Sequence, residues 1–146
     1  MVDWEMRLGL EINSLTWRNP DAPASPLASI TVRRGDVIPI DVLVFSGVTR
    51  TELAGEASGV LQLNPANSFG TANKIADDST MEKVGAGREA VYSFTLSVNG
   101  SGVTALFPDA NTASAKASLE LQITNGEHVT SSEPLAVTIQ NALIHA

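Results

Sequence analysis

A chain of 146 residues can bury a hydrophobic core, and we expect one domain over residues 1–146. Nine lysines and arginines against sixteen aspartates and glutamates give a net charge of −7, which disfavours binding to nucleic acid. The absence of cysteine excludes disulfides and thiolate metal sites. The sequence holds no apolar run long enough to span a membrane, and its acidic start is unlike a cleavable signal peptide, so we expect no membrane contact.

In the first half of the chain, apolar and polar residues alternate with period two, which predicts short strands. These predicted strands are residues 8–17, 29–33, 37–45 and 60–63. The segment 37–45 is apolar at nearly every position, which is typical of a strand buried on both faces. Residues 19–26 contain three prolines and therefore predict an ordered loop that crosses between sheets.

The second half of the chain shows the same alternation more clearly. Its predicted strands are residues 91–98, 118–124, a short return strand around 129, and 135–139. Asn125-Gly126 favours a tight hairpin turn, and residues 103–107 predict a single helical turn. Residues 64–83 predict a long irregular loop. The whole pattern predicts an all-β, immunoglobulin-like antiparallel β-sandwich of about 7–8 strands with at most a short helical turn.

Residue types that carry chemistry are scarce, so we expect a protein that is not an enzyme. His128 and His145 have no second ligand at a metal-binding spacing, and no G-x-S-x-G pentapeptide is present. Asp77-Asp78 could offer oxygen ligands to calcium, but the segment lacks the alternation of an EF-hand loop. We therefore expect no cofactor and no metal ion.

Apolar residues near the two ends of the chain are candidates for contact with another protein. Trp4 and Trp17 flank the first predicted strand, where a core or interface role is favoured over stacking on a sugar ring. Leu143 and Ile144 lie at the other end, where apolar side chains stay in contact with water unless a partner covers them. The sequence therefore predicts Trp4, Trp17, Leu143 and Ile144 as interface residues.

The order of motifs resembles that of phage tail proteins. Residues 33–36, Arg-Arg-Gly-Asp, lead directly into the apolar strand 37–42, which resembles the opening of N-terminal domains of phage upper-baseplate and tail-fibre proteins. Residues 119–123 and 130–141 are similar to the terminal hairpin of small phage and prophage tail-associated domains, and residues 92–96 before a helical turn fit the same layout.

This resemblance covers roughly half of the chain and implies a virion component that has no catalytic residues. Its partners would be other tail proteins and copies of itself, and the symmetry of tails favours a trimer or hexamer. The resemblance also implies a protein of the virion that is assembled in the host cytoplasm.

A carbohydrate- or peptide-binding module is the alternative on the same fold. An exposed, coplanar pair of aromatic side chains or a carboxylate-lined calcium pocket would favour that alternative. A large apolar patch without a pocket would favour assembly, and a hydrolase would need a polar cleft around His128.

Overall fold

The structure is a computed structural model that describes residues 6–83 and 90–142. In these residues thirteen β-strands form two sheets, with one short α-helix and one 3-10 turn. The strands are β1 (Met6–Glu11), β2 (Thr16–Asn19), β3 (Ala22–Pro26), β4 (Ser29–Arg33), β5 (Val37–Ser46), β6 (Thr49–Arg50), β7 (Ser58–Pro65), β8 (Ala76–Asp78), β9 (Glu82–Lys83), β10 (Val91–Ser97), β11 (Ser114–Asn125), β12 (His128–Ser131) and β13 (Leu135–Gln140). The 3-10 turn is Thr71–Asn73, and the helix α1 is Ser101–Thr104. The predicted all-β sandwich with a short helical turn is confirmed. The predicted number of about 7–8 strands is too low, since the described residues form thirteen.

The two sheets are mixed, which corrects the prediction of an antiparallel sandwich. The first sheet has the order β3-β2-β1-β5-β10-β9, with β6 paired to β5, and the second has the order β4-β13-β11-β7-β8, with β12 paired to β11. Most pairs are antiparallel, but β1 pairs with β5 and β4 pairs with β13 in parallel. Alternation decides which face of a strand is buried and does not decide the direction of its neighbour. The immunoglobulin-like topology stays a prediction.

The main core lies between the two sheets and is built from the predicted alternation. Leu119, Leu121 and Ile123 of β11 are buried in it, and so are Phe94 and Leu96 of β10. Strand β5 is buried on both faces from Ile40 to Phe45, as predicted, whereas Val37 and Pro39 are exposed. The core cluster draws apolar residues from both sheets, which is what a sandwich requires.

Several segments differ from the sequence prediction. The helix α1 is Ser101–Thr104, whereas the sequence predicts the helical turn at residues 103–107. The predicted first strand is broken by a turn at residues 12–15, where Leu15 adopts a positive φ of 57°. Residues 22–26 form the edge strand β3 on β2, so the crossing predicted for residues 19–26 takes place at residues 27–28 instead. Proline is tolerated there because an edge strand needs hydrogen bonds on one side only.

The predicted long loop of residues 64–83 contains short ordered pieces, namely the 3-10 turn and the strands β8 and β9. Within residues 6–83 and 90–142, no helix is long and apolar enough to cross a membrane. The prediction of a single domain over residues 1–146 stays a prediction.

Candidate functional site

A groove of about 390 Å³ lies on the outer face of the second sheet. Its floor consists of side chains from β7 and β11 that alternate with the core residues of those strands. Glu120 lies opposite Gln62 in the register of this pair, and Gln122 lies opposite Val60. All four residues line the groove. The alternation that directs leucines to the core therefore places two amides, a carboxylate and one apolar side chain on the groove floor.

One wall of the groove is the loop of residues 68–71, which a chain of amide groups holds in place. The Gln62 amide donates to Asn64 Oδ1 over 2.8 Å, and the Asn64 amide donates to the carbonyls of Ser68 and Gly70, each over 3.0 Å. Gly70 has a φ of 88°, which favours glycine. Because the Asn64 amide holds two carbonyls of the loop, the loop is preorganised.

Phe69 stands at the rim of this wall with 69% of its surface exposed. Its carbonyl accepts a hydrogen bond of 2.6 Å from the Asn73 amide, which fixes the backbone at the rim. An exposed aromatic ring beside a polar floor is a common component of ligand sites, since the ring supplies contact area at a small entropic cost.

Asp77, Ser79 and Ser131 also line the groove. Asp77 pairs with Gln62 on the β8 side, and Ser131 pairs with Gln122 on the β12 side. Asp77 forms an ion pair of 3.0 Å with Lys74. No lysine or arginine is among the described residues that line the groove. Within the described part of the chain, the side chains of Glu120 and Gln122 have no hydrogen-bond partner and are available to a ligand.

A second, smaller depression of about 170 Å³ lies on the outer face of the first sheet and is lined by Asp41, Asp78 and Glu82, among others. Asp41 is buried and accepts a hydrogen bond of 2.6 Å from the Ser93 hydroxyl. Across residues 6–83 and 90–142, no three His, Cys, Asp or Glu side chains are grouped so that they could hold a metal ion.

The carboxylate of Asp78 is occupied by internal hydrogen bonds. Burial raises the pKa of Asp78, but hydrogen bonds from the Thr80 hydroxyl and from the N–H groups of Thr95 and Thr80 outweigh it, so that the pKa lies below its ordinary value. With Asp77 paired to Lys74, both acids of the candidate calcium segment have partners inside the chain.

The predicted interface residues fall into two groups. Trp4, Leu143 and Ile144 lie outside the described residues, and their role stays a prediction. Trp17 is fully buried, and its indole Nε1–H donates to the carbonyl of Glu133 over 2.8 Å. Of the two roles predicted for Trp17, the structure shows the core role. Its buried side chain therefore offers no surface to another protein.

Sequence reasoning did not single out the groove. His128 is exposed on β12 and does not line it, and His145 lies outside the described residues. The floor residues were visible in the sequence only as outward positions of two strands. Phe69 was visible as a lone aromatic residue in a polar segment, and that was the one local signal.

Neither a protein-family model nor a curated protein matches this chain. Among solved structures, the chain is similar to the N-terminal domain of phage TP901-1 ORF48, with a TM-score of 0.42 and 10% sequence identity. The similarity covers 94% of this chain and 97% of that one. This is a weak, phage-type resemblance, and no functional conclusion rests on it.

Proposed function

We propose that this chain is a non-enzymatic structural component of a phage or prophage tail, baseplate or fibre. It acts through contacts with other virion proteins and with copies of itself, in a trimer or hexamer. The observation that carries the proposal is the open edge of β4, a regular strand of the second sheet that has a partner on one side only among the described residues.

Strand β4 has the features of a strand that can accept a neighbour. It pairs with β13 over five residues in register, and it contains no proline and no bulge. Ile30 and Val32 anchor it in the core, while Ser29, Thr31 and Arg33 are exposed. An edge strand of this kind offers backbone N–H and C=O groups to an added strand, which is a common mode of protein association.

The other edges of the two sheets are less suited to pairing. Strand β3 contains Pro23 and Pro26. In the described part of the chain the strands β6 and β9 have two residues each, β8 has three and β12 has four, all fewer than β4. Among the described residues, the large exposed apolar side chains are Val37, Val48, Phe69 and Val129, which lie on four different elements and loops. The large apolar patch that would favour assembly is therefore not found in this part of the chain. Pairing through a strand edge therefore fits this surface better than contact through an apolar patch.

The proposal is tested by the mass of the chain in solution, measured by light scattering after gel filtration over a range of concentrations. We expect a mass three or six times that of the monomer. Thr31→Lys places a charge in the middle of the open edge, and natural proteins use lysine there to prevent pairing. We expect it to weaken self-association by at least about tenfold.

Thr49→Lys is the matched control, because Thr49 is also an exposed threonine in a strand but lies on β6. It should leave the mass unchanged. A monomer at high concentration that also co-purifies with no particle component would contradict the assembly function. An oligomer that is insensitive to Thr31→Lys would contradict the role of β4.

A further inference from the structure

We propose that the groove on the outer face of the second sheet binds an uncharged saccharide. This is a binding activity in addition to assembly, and it rests on the groove alone. The open edge of β4 has no part in it, since no β4 residue lines the groove.

The groups on the groove floor match the hydroxyl groups of a sugar. Each sugar hydroxyl both donates and accepts hydrogen bonds, and the amide of Gln122 and the hydroxyl of Ser118 do the same. The amide nitrogen of Gln62 donates within the chain, so Gln62 offers its oxygen as an acceptor. The carboxylate of Glu120 accepts hydrogen bonds strongly, because it is charged. The Glu120 and Gln122 side chains have no partner among the described residues, so a ligand does not have to displace an internal hydrogen bond.

Phe69 supplies the apolar component that a sugar ring needs. The C–H face of a pyranose ring packs on an aromatic ring, as apolar groups do on the faces of aromatic side chains. Because the Asn64 and Asn73 amides fix the backbone around Phe69, less entropy is lost when a ligand packs against it.

The charges around the groove exclude anionic ligands. Glu120 and Asp77 are the charged residues among the described ones that line it, and Lys74, three residues before Asp77, is paired with Asp77. A phosphate or an acidic sugar would meet a carboxylate with no compensating cation, which disfavours binding. An uncharged saccharide avoids this repulsion.

The backbone groups of the groove floor are paired with each other, which disfavours an extended peptide as the ligand. Strands β7 and β11 pair with each other along their whole shared length, from Ser58 opposite Thr124 to Pro65 opposite Ala117. A peptide in the groove would therefore find no open edge for a ladder of backbone hydrogen bonds. The volume of about 390 Å³ lies within the usual range of small-molecule sites and suits roughly one or two pyranose rings.

The test is a glycan array that carries uncharged and acidic glycans, followed by NMR titration of the ¹⁵N-labelled chain with the uncharged glycan that binds best. Sialyllactose and tri-lysine serve as the anionic and cationic probes. We expect an uncharged glycan to shift the amide signals of Gln62, Glu120 and Gln122 in a saturable manner, and neither charged probe to do so.

Phe69→Ala should weaken this binding by about tenfold. Val48→Ala is its control, because Val48 is similarly exposed but lies on the turn between β5 and β6. Both side chains are exposed, so both variants should fold, which circular dichroism checks. The proposal is overturned if no uncharged glycan binds, if Phe69→Ala binds as wild type does, or if only tri-lysine binds and Glu120→Gln abolishes that binding.

Discussion

Trp17 and Glu133 join the two sheets through backbone and side-chain groups together. The indole N–H of Trp17 donates to the Glu133 carbonyl, and the Trp17 backbone N–H donates to Glu133 Oε1 over 3.1 Å. The Glu133 N–H donates to the carbonyl of Leu15 over 2.9 Å. Since Trp17 lies on β2 and Glu133 lies between β12 and β13, these bonds tie one sheet to the other.

Trp17→Phe should lower the free energy of unfolding by about 1–3 kcal/mol, because it removes a buried hydrogen bond and part of a buried ring. Urea unfolding measures the change. The control is Phe69→Leu at an exposed position, which should change stability by less than about 0.5 kcal/mol. Equal stability of Trp17→Phe and wild type would show that this link between the sheets contributes nothing.

The side chains of β11 and β10 give a sharper comparison between core and surface. Leu121→Ala and Phe94→Ala should each destabilise the chain by about 2–5 kcal/mol, because both side chains are fully buried. Glu120→Ala, one residue along β11 and facing outward, should cost less than about 0.5 kcal/mol. If Glu120→Ala cost more than Leu121→Ala in urea unfolding, the register of β11 would be wrong by one residue.

Glu11 is a nearly buried carboxylate that holds two turns together. It accepts hydrogen bonds from the N–H groups of Ser14 and Gly47, each over 2.7 Å, and from the Ser14 hydroxyl over 2.9 Å. Burial raises the pKa of Glu11, but these hydrogen bonds outweigh it and lower the pKa below its ordinary value. A carboxyl group whose pKa is lower in the folded than in the unfolded chain stabilises the fold at pH values above its ordinary pKa.

That stabilisation should be lost as the pH falls below about 4.5 and through the lowered pKa of Glu11. Glu11→Gln should reduce the slope of stability against pH in this range. At neutral pH it should cost about 1–3 kcal/mol, since an amide nitrogen replaces one accepting oxygen. Glu127→Gln, at an exposed turn, is the control. Thermal unfolding at several pH values measures this slope. The same slope of stability against pH in Glu11→Gln and in wild type would contradict the role of Glu11.

At the scale of elements, Asp78 protects the outer edge of β10. The described part of β9 covers β10 only at Tyr92 and Ser93, so the edge is open beyond them. In this open part of the edge, the Thr95 N–H donates to Asp78 Oδ2 over 2.6 Å. Asp78 belongs to β8 of the second sheet, so its carboxylate both caps the edge of the first sheet and joins the two sheets.

Asp78→Ala should destabilise the chain by about 1–2 kcal/mol and speed the hydrogen exchange of the Thr95 amide, because that N–H loses its acceptor. Asp77→Ala, the neighbouring residue, removes only an exposed ion pair and should cost less than about 1 kcal/mol without affecting Thr95. Equal exchange of Thr95 in wild type and Asp78→Ala, measured by NMR, would show that the carboxylate does not protect this edge.

At the scale of the whole molecule, the two ends of the chain are predicted to take part in the assembly contacts. Trp4→Ala and a chain that lacks residues 143–146 should each lower the mass of the oligomer without loss of β-sheet content. Glu5→Ala is the control for Trp4→Ala, because it changes a neighbouring residue without removing apolar surface. An unchanged mass in both variants would remove the ends from the interface and leave β4 as its only candidate.

The sequence by itself determined the all-β class, the presence of a short helical turn near residue 103 and the buried faces of the strands. The alternation around Leu121 and Phe94 is sufficient for these, because burial on one face is a local property with a period of two residues. It also determined that Glu120 faces outward. The net charge and the absence of cysteine likewise needed no structure.

The tertiary structure alone decided which strands pair, and in which direction. The parallel pairs, the edge position of β3 and the burial of Trp17 depend on residues far apart in the chain. The groove has the same origin, because Gln62, Glu120 and Phe69 meet only after β7 and β11 pair and the loop folds back over them. A local pattern reports the environment of one strand, whereas a site is made by contacts between strands, and those follow from the packing of the whole core.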